Sequence, residues 1–242
     1  MNAHIPVPTA VTLRNLTRSF KGKTILDRVS LDIPHGQFVS LLGESGSGKT
    51  TLLRALAGLD DDAESQGHFQ VPASTSVLFQ DSRLLPWKTV IDNVTLGLRR
   101  TDAKSAALEM LEAVGLGDKA DAWPSTLSGG QKQRASLARS LIRSPSLLLA
   151  DEPFGALDAL TRIRMQELLM RLVDRERPTI VLVTHDVDEA LLLSDRILVL
   201  RDGRIAEDHA ISLSHPRRSN QSELLDLRAR LLASFGVSAD RA

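Results

Sequence analysis

Apolar and polar residues alternate along Val11–Phe20 and again along Ile25–Ile33, where Ile25, Val29, Leu31 and Ile33 fall mostly on every second position. Successive side chains of a strand point to opposite faces, so this spacing predicts two strands with one covered face each. Pro34, His35 and Gly36 make a turn, and Phe38–Leu42 is nearly continuously apolar, the pattern of a central strand buried on both sides. A glycine-rich loop follows, then a helical stretch over Lys49–Ala57 that Gly58 ends. Residues 59–70, LDDDAESQGHFQ, read as a solvated acidic loop.

A short strand at Val77–Phe79 leads into QDSRLLPWKTVIDNV and a helix near Val90, and Ala103–Val114 has the period of an amphipathic helix closed by Gly115. Beyond Gly130 the pattern alternates: helix Gln131–Ile142, strand Leu147–Ala150, helix Leu160–Val173, strand Thr179–Thr184, helix Val187–Leu193, strand Arg196–Leu200. That alternation implies an α/β fold with a parallel sheet and right-handed crossovers. The tail, 211–242, carries one amphipathic helix around Ser222–Phe235 and is too short for a further domain.

Composition narrows the function. A chain of 242 residues holds one domain, or one with a subdomain, and buries enough surface to need no disulfide or metal staple. The absence of Cys excludes thiol catalysis, Cys-ligated zinc and iron–sulfur clusters. Thirty basic side chains balance thirty acidic ones, which speaks against a protein that coats nucleic acid. The longest apolar runs, such as Leu147–Ala150, fall far short of the roughly 20 residues that cross a bilayer. Without a basic segment followed by an apolar one at the N-terminus, the chain is expected to stay in a reducing cytosol.

Gly43-Glu44-Ser45-Gly46-Ser47-Gly48-Lys49-Thr50 matches G-x-x-x-x-G-K-[ST] between a buried strand and a helix, the context that gives this pattern meaning. Glycines let backbone N–H groups turn inward around phosphate oxygens, and the helix adds the positive end of its dipole. Lys49 is then expected to reach the β- and γ-phosphates and Thr50 to ligate Mg2+. A second acidic element follows the apolar strand that ends at Ala150: Asp151 suits a magnesium contact and Glu152 a base that polarises the attacking water.

Leu127-Ser128-Gly129-Gly130-Gln131 is the set that identifies the family, because it resembles the signature motif of ATP-binding cassette (ABC) proteins, and phosphate loop, signature and acidic strand come in the family's order. The resemblance covers essentially the whole chain. It implies a P-loop NTPase fold with a RecA-like parallel-sheet core, an N-terminal antiparallel β subdomain and a helical subdomain at about 81–140, all within one ABC domain spanning 1–242 and lacking a regulatory C-terminal domain. It also implies a head-to-tail homodimer, in which Ser128, Gly129, Gly130 and Gln131 of one subunit meet ATP held by the other subunit's phosphate loop and by Thr51 beside it. Phe20 matches the aromatic that stacks on adenine, Gln80 the glutamine that contacts magnesium and the attacking water, Asp158 the loop that crosses the dimer interface, and His185 the switch residue at the γ-phosphate. Ser128 and the glycines are read as a second anion site at the start of a helix running from Gln131.

The segment FQDSRLLPWKTVIDNVTLGL, DEPFGALDALTR at Asp151–Arg162, and His215-Pro216-Arg217-Arg218 in the tail are most similar to the ATP-binding subunits of nitrate, taurine and sulfonate importers, aliphatic sulfonates above all. Taurine, nitrate or another small solute is the alternative cargo. The implied partners are two transmembrane permease subunits, docked in an apolar slot lined by Leu84, Leu85 and Trp87, and an external solute-binding protein; the implied place is the cytoplasmic side of the inner membrane. A DNA-maintenance ATPase of the same superfamily would separate its motifs by long heptad coiled coils, whereas 79 positions without heptads separate Lys49 from Ser128. An exporter subunit is the nearer rival, and LLPWK speaks against it.

Overall fold

The computed structural model describes residues 8–217 and 221–236; positions 1–7 at the N-terminus, Arg218 of the tail motif and 237–242 lie outside the described residues. Along the chain run β1 (Thr9–Phe20), β2 (Lys23–Pro34), β3 (Phe38–Leu42), α1 (Lys49–Leu56), β4 (Glu64–Gln70), β5 (Thr75–Leu78), α2 (Val90–Val94), α3 (Ala103–Ala113), α4 (Gly129–Leu141), β6 (Leu147–Asp151), α5 (Ala159–Glu176), β7 (Thr179–Val183), α6 (Val187–Leu193), β8 (Arg196–Arg201), β9 (Arg204–Ala210) and α7 (Ser222–Ser234). They form two compact units, one from the described residues up to Pro72 and from Thr179 on, the other from Ala73–Pro178.

In the first unit β1 lies between β2 and β4, antiparallel to both. Strand β3 runs parallel between β7 and β8, with Leu41 opposite Val183 and Leu198, and β9 closes the edge antiparallel to β8. Every residue of β3 and of β7 is buried, which is why both read as apolar runs without alternation. In the second unit β5 and β6 pair in parallel from Thr75–Leu147 to Leu78–Ala150. Helices α2, α3 and α4 pack there through Val90, Ile91, Ala107, Leu111, Ala135 and Ala138, all at most 5% exposed.

Two edge strands depart from the sequence reading. Only 59–63 of the acidic stretch is loop; 64–70 is β4, six of whose seven residues are exposed, so backbone pairing to β1 holds it and no apolar face announces it. Nor is the acidic run wholly solvated, because Asp60 forms a nearly buried ion pair with Arg18 at 2.6 Å. Strand β9 alternates between exposed and half-buried positions and carries a single large apolar residue, Ile205. Its signal is the turn before it: Asp202 and Gly203 both have positive φ, 48° and 74°, the backbone of a tight two-residue hairpin.

Candidate nucleotide site and partner surfaces

In the first unit, the loop that follows β3 turns on glycines at close approach. A Cβ on Gly43 would lie 2.5 Å from the Leu200 carbonyl oxygen, and one on Gly48, at φ 106°, would lie 2.9 Å from the Leu26 side chain. Lys49 Nζ is buried and donates to the carbonyls of Gly43 and Glu44 at 2.7 and 2.8 Å, so its ammonium points back into the loop. The Ser47 hydroxyl is buried and has no hydrogen-bond partner among the described residues. An orphaned hydroxyl beside a buried ammonium in a glycine cradle is a fit for phosphate oxygens, which accept from both. Thr50 is exposed at the start of α1 and Thr51 half-buried.

His185 leaves the neighbouring strand on the same side. The Thr184 N–H donates to the Leu41 carbonyl at 3.3 Å, so the chain passes from β7 to His185 beside the point where β3 passes into Gly43. His185 is exposed, and Asp186 caps α6 by accepting from the Glu189 N–H at 3.1 Å. Phe20 ends β1, half-buried, two residues beyond Arg18, whose pairing partner Leu26 lies against Gly48.

The second unit gathers the acidic element. Asp151 ends β6, and Glu152 follows with φ 43°, a left-handed conformation that costs a non-glycine residue on the order of 1 kcal/mol or more. A Cβ added at Gly155 would lie 3.3 Å from Gln80 Nε2 and 3.8 Å from Glu152 Oε2, so the amide and the carboxylate come together around this glycine. Gln133 holds the arrangement: its buried side chain donates to the carbonyls of Phe79, before Gln80, and Pro153, after Glu152, at 3.1 and 2.9 Å. The sequence reading missed Gln133; its only signal was its place two residues past the signature.

Helix α4 begins at Gly129, not at the expected Gln131, because Ser128 is the cap. Its hydroxyl accepts from the Gln131 N–H at 3.3 Å while Gln131 Oε1 accepts from the Ser128 N–H at 2.8 Å, a reciprocal capping box. That pairing occupies the Ser128 N–H, so the backbone donors of the expected anion site narrow to Gly129 and Gly130. Gly130 has no room for a side chain, since a Cβ would meet Thr161 Cγ2 at 2.7 Å. Asp158 caps α5 by accepting from the Thr161 N–H at 3.0 Å, and hydrogen bonds from the Thr161 hydroxyl first and this N–H second hold its carboxyl below the usual range. A cavity of about 570 Å³ opens here, lined by Ser128, Gly129, Gln131, Leu157, Asp158 and Thr161 among others.

LLPWK forms a loop set by Asn93, a fully buried amide. It accepts from the Leu85 N–H at 2.7 Å and donates to the carbonyls of Leu85, Lys88 and Thr89 at 2.9–3.1 Å. Arg139 grips the other side through the carbonyls of Ser82 and Arg83 at 2.7 and 2.8 Å. On this support Trp87 stands 69% exposed while Leu84 and Leu85 are half-buried, so the indole is a protruding knob and not the wall of a slot.

Residues 26–155 match the ABC transporter family. The chain belongs to that family. Its relatives include the aliphatic sulfonates import ATP-binding protein SsuB 1 of Paracoccus denitrificans, 67% identical over 99% of both chains, and SsuB of Delftia acidovorans, 67% identical over 96% of both. Among solved structures, the dimeric ATP-binding cassette MJ0796, bound to ADP and Pi in a post-hydrolysis state, is 31% identical with a TM-score of 0.73, over 84% of this chain and all of that one. CbiO1 of Clostridium perfringens shares the fold at a TM-score of 0.77 and 22% identity, over 95% of this chain and 98% of that one. This cassette therefore has the α/β P-loop fold of ABC ATPases. Among its described residues no helix is long and apolar enough to cross a membrane.

Proposed function

We propose that the chain is the ATP-hydrolysing subunit of an importer for aliphatic sulfonates. Two copies would work head to tail against two permease subunits on the cytoplasmic face of the inner membrane, with an external solute-binding protein delivering the cargo. The observation that carries this reading is the 67% identity, across 99% of both chains, to an aliphatic sulfonates import ATP-binding protein. The ADP- and Pi-bound dimer of a 31% identical cassette supports the nucleotide and the pairing.

In this reading Lys49 cancels charge on the β- and γ-phosphates, the Ser47 hydroxyl and the loop N–H groups hold their oxygens, and Phe20 stacks on adenine. Glu152 takes the proton of the water that attacks the γ-phosphorus as the bond to the bridging oxygen breaks; Gln80 orients that water and His185 donates to the γ-phosphate. Thr50, Asp151 and Gln80 would hold Mg2+. A hydroxyl, a carboxylate and a side-chain amide are oxygen donors of the kind Mg2+ takes beside water and phosphate. The ion supplies charge to the phosphate oxygens. Signature residues Ser128–Gln131 and Asp158 close the partner's site.

Deleting the gene should stop growth on an aliphatic sulfonate as sole sulfur source while leaving growth on sulfate intact, and the wild-type chain but not Lys49→Ala should restore it. Unimpaired growth on the sulfonate, or loss of growth on taurine or nitrate alone, overturns the assignment of cargo. ATP turnover by purified Lys49→Ala at the wild-type rate overturns the assignment of the site.

A further inference from the structure

The tail motif His215-Pro216-Arg217 has no part in the chemistry above, yet Arg217 is among the most buried charges of the first unit, its side chain 1% exposed. Its guanidinium donates to the carbonyls of Leu191, at 3.2 Å, and Ser194, and its Nε donates to Leu213 at 2.9 Å. Leu191 and Ser194 lie at the C-terminal end of α6, where carbonyls lack helical partners and a cation is favoured. At the other end of α6, Arg228 of α7 forms a forked pair with Asp188, at 2.7 and 3.3 Å. Between these two grips, Leu224, Leu227 and Leu231 of α7 share one apolar cluster with Val187, Ala190 and Leu191 of α6 and with Leu42, the residue before Gly43.

Helix α6 has seven residues, too few to hold a position by its own hydrogen bonds. Its place is set by what covers it, and Asp186, which caps it, follows directly on His185. We infer that the C-terminal segment is a two-ended clamp on α6, with Arg217 and Arg228 acting as positioning residues for His185. The inference rests on the reading of His185 as a γ-phosphate donor. A sequence-family clue and an otherwise idle tail helix thereby gain one physical task, which is to fix the direction in which His185 leaves β7.

Arg228 is the residue to test, since its side chain is 31% exposed and that of Asp188 50%. A half-exposed pair adds little to stability, so a purely structural role predicts a melting temperature within about 3 °C of wild type and unchanged kinetics. The clamp predicts that Arg228→Ala lowers kcat about five- to tenfold with the KM for ATP within twofold of wild type. It also predicts faster amide hydrogen exchange across 185–193. Arg228→Lys and the reversed pair Asp188→Arg with Arg228→Asp should each recover at least half of the lost rate. Unchanged kcat and unchanged exchange in Arg228→Ala overturn the clamp, as does a loss of kcat that tracks a large fall in melting temperature and is not restored by the reversed pair. Should the wild-type chain hydrolyse no ATP, the functional reading falls, and the exchange measurement alone decides whether α7 holds α6.

Discussion

At the scale of single residues, the Glu152 carboxylate and the Gln80 amide meet around Gly155, and the buried Gln133 side chain ties their two segments together through the carbonyls of Phe79 and Pro153. Gly43, Gly48 and Lys49 stand out because a backbone that must wrap an anion needs glycines at fixed intervals, and chemistry of that kind writes itself as spacing. Gln133 and Asn93 do equally specific work and leave no such trace. Gln133 bridges main-chain carbonyls of two separate segments and Asn93 ties up those of the one loop before it, and which carbonyls come within reach is a property of the folded chain. The same distinction bears on Glu152. Glu152→Gln keeps the shape and a hydrogen-bonding oxygen but cannot accept a proton, so turnover should fall by roughly 100- to 10,000-fold with ATP binding retained. Single-turnover hydrolysis together with nucleotide binding checks this. ATP held without turnover should also keep two chains together in gel filtration with ATP and magnesium.

At the scale of elements, strands with buried positions were legible and the two without any, β4 and β9, were not. The runs Phe38–Leu42 and Thr179–Val183 declare themselves because both faces are covered, whereas β4 and β9 draw their order from backbone pairing, to which side-chain pattern is blind. Helix ends shifted by one to three residues where caps decided them, as Ser128 did at the start of α4 and Arg177 at the end of α5. Strand β4 offers a sharp test. Gly67 has φ 87° and lies so close to the carbonyls of Asn15 and Arg14 that an added Cβ would overlap them. Gly67→Ala should therefore destabilise the chain by about 2 kcal/mol or more, a fall in melting temperature of roughly 5 to 10 °C. Thermal unfolding of the variant measures it, and Gln66→Ala at the exposed neighbouring position of the same strand is the control for altered β4 chemistry without the clash.

At the scale of the whole molecule, the exposed features show where other chains are expected. Trp87 projects from a loop held by Asn93 and Arg139, and 69% of it faces solvent although the loop beneath is fixed. A large aromatic on a rigid base loses little entropy on docking, which suits an anchor for a permease. Trp87→Ala should keep its melting temperature within about 2 °C and its basal ATPase unchanged, while permease co-purification falls tenfold or more, the effect of about 2 kcal/mol lost at an anchor. A variant that loses stability yet still binds permease normally contradicts that role. The family resemblance pointed to a permease contact at Leu84, Leu85 and Trp87; that the indole alone projects while the two leucines are half-buried depends on the Asn93 and Arg139 hydrogen bonds and has no counterpart in the sequence pattern.

The φ of 43° at Glu152 carries a further consequence. A residue held in the left-handed region is a standing debt of the native state, and glycine is the one residue that carries it without penalty. Glu152→Gly should thus melt above Glu152→Ala, which loses the same side chain but keeps the strain, although glycine elsewhere in a folded chain melts below alanine. Hydrolysis should vanish in the same protein. The carboxylate then keeps a strained backbone in place for the sake of turnover, and among variants that have lost it a search for heat resistance would be drawn to glycine.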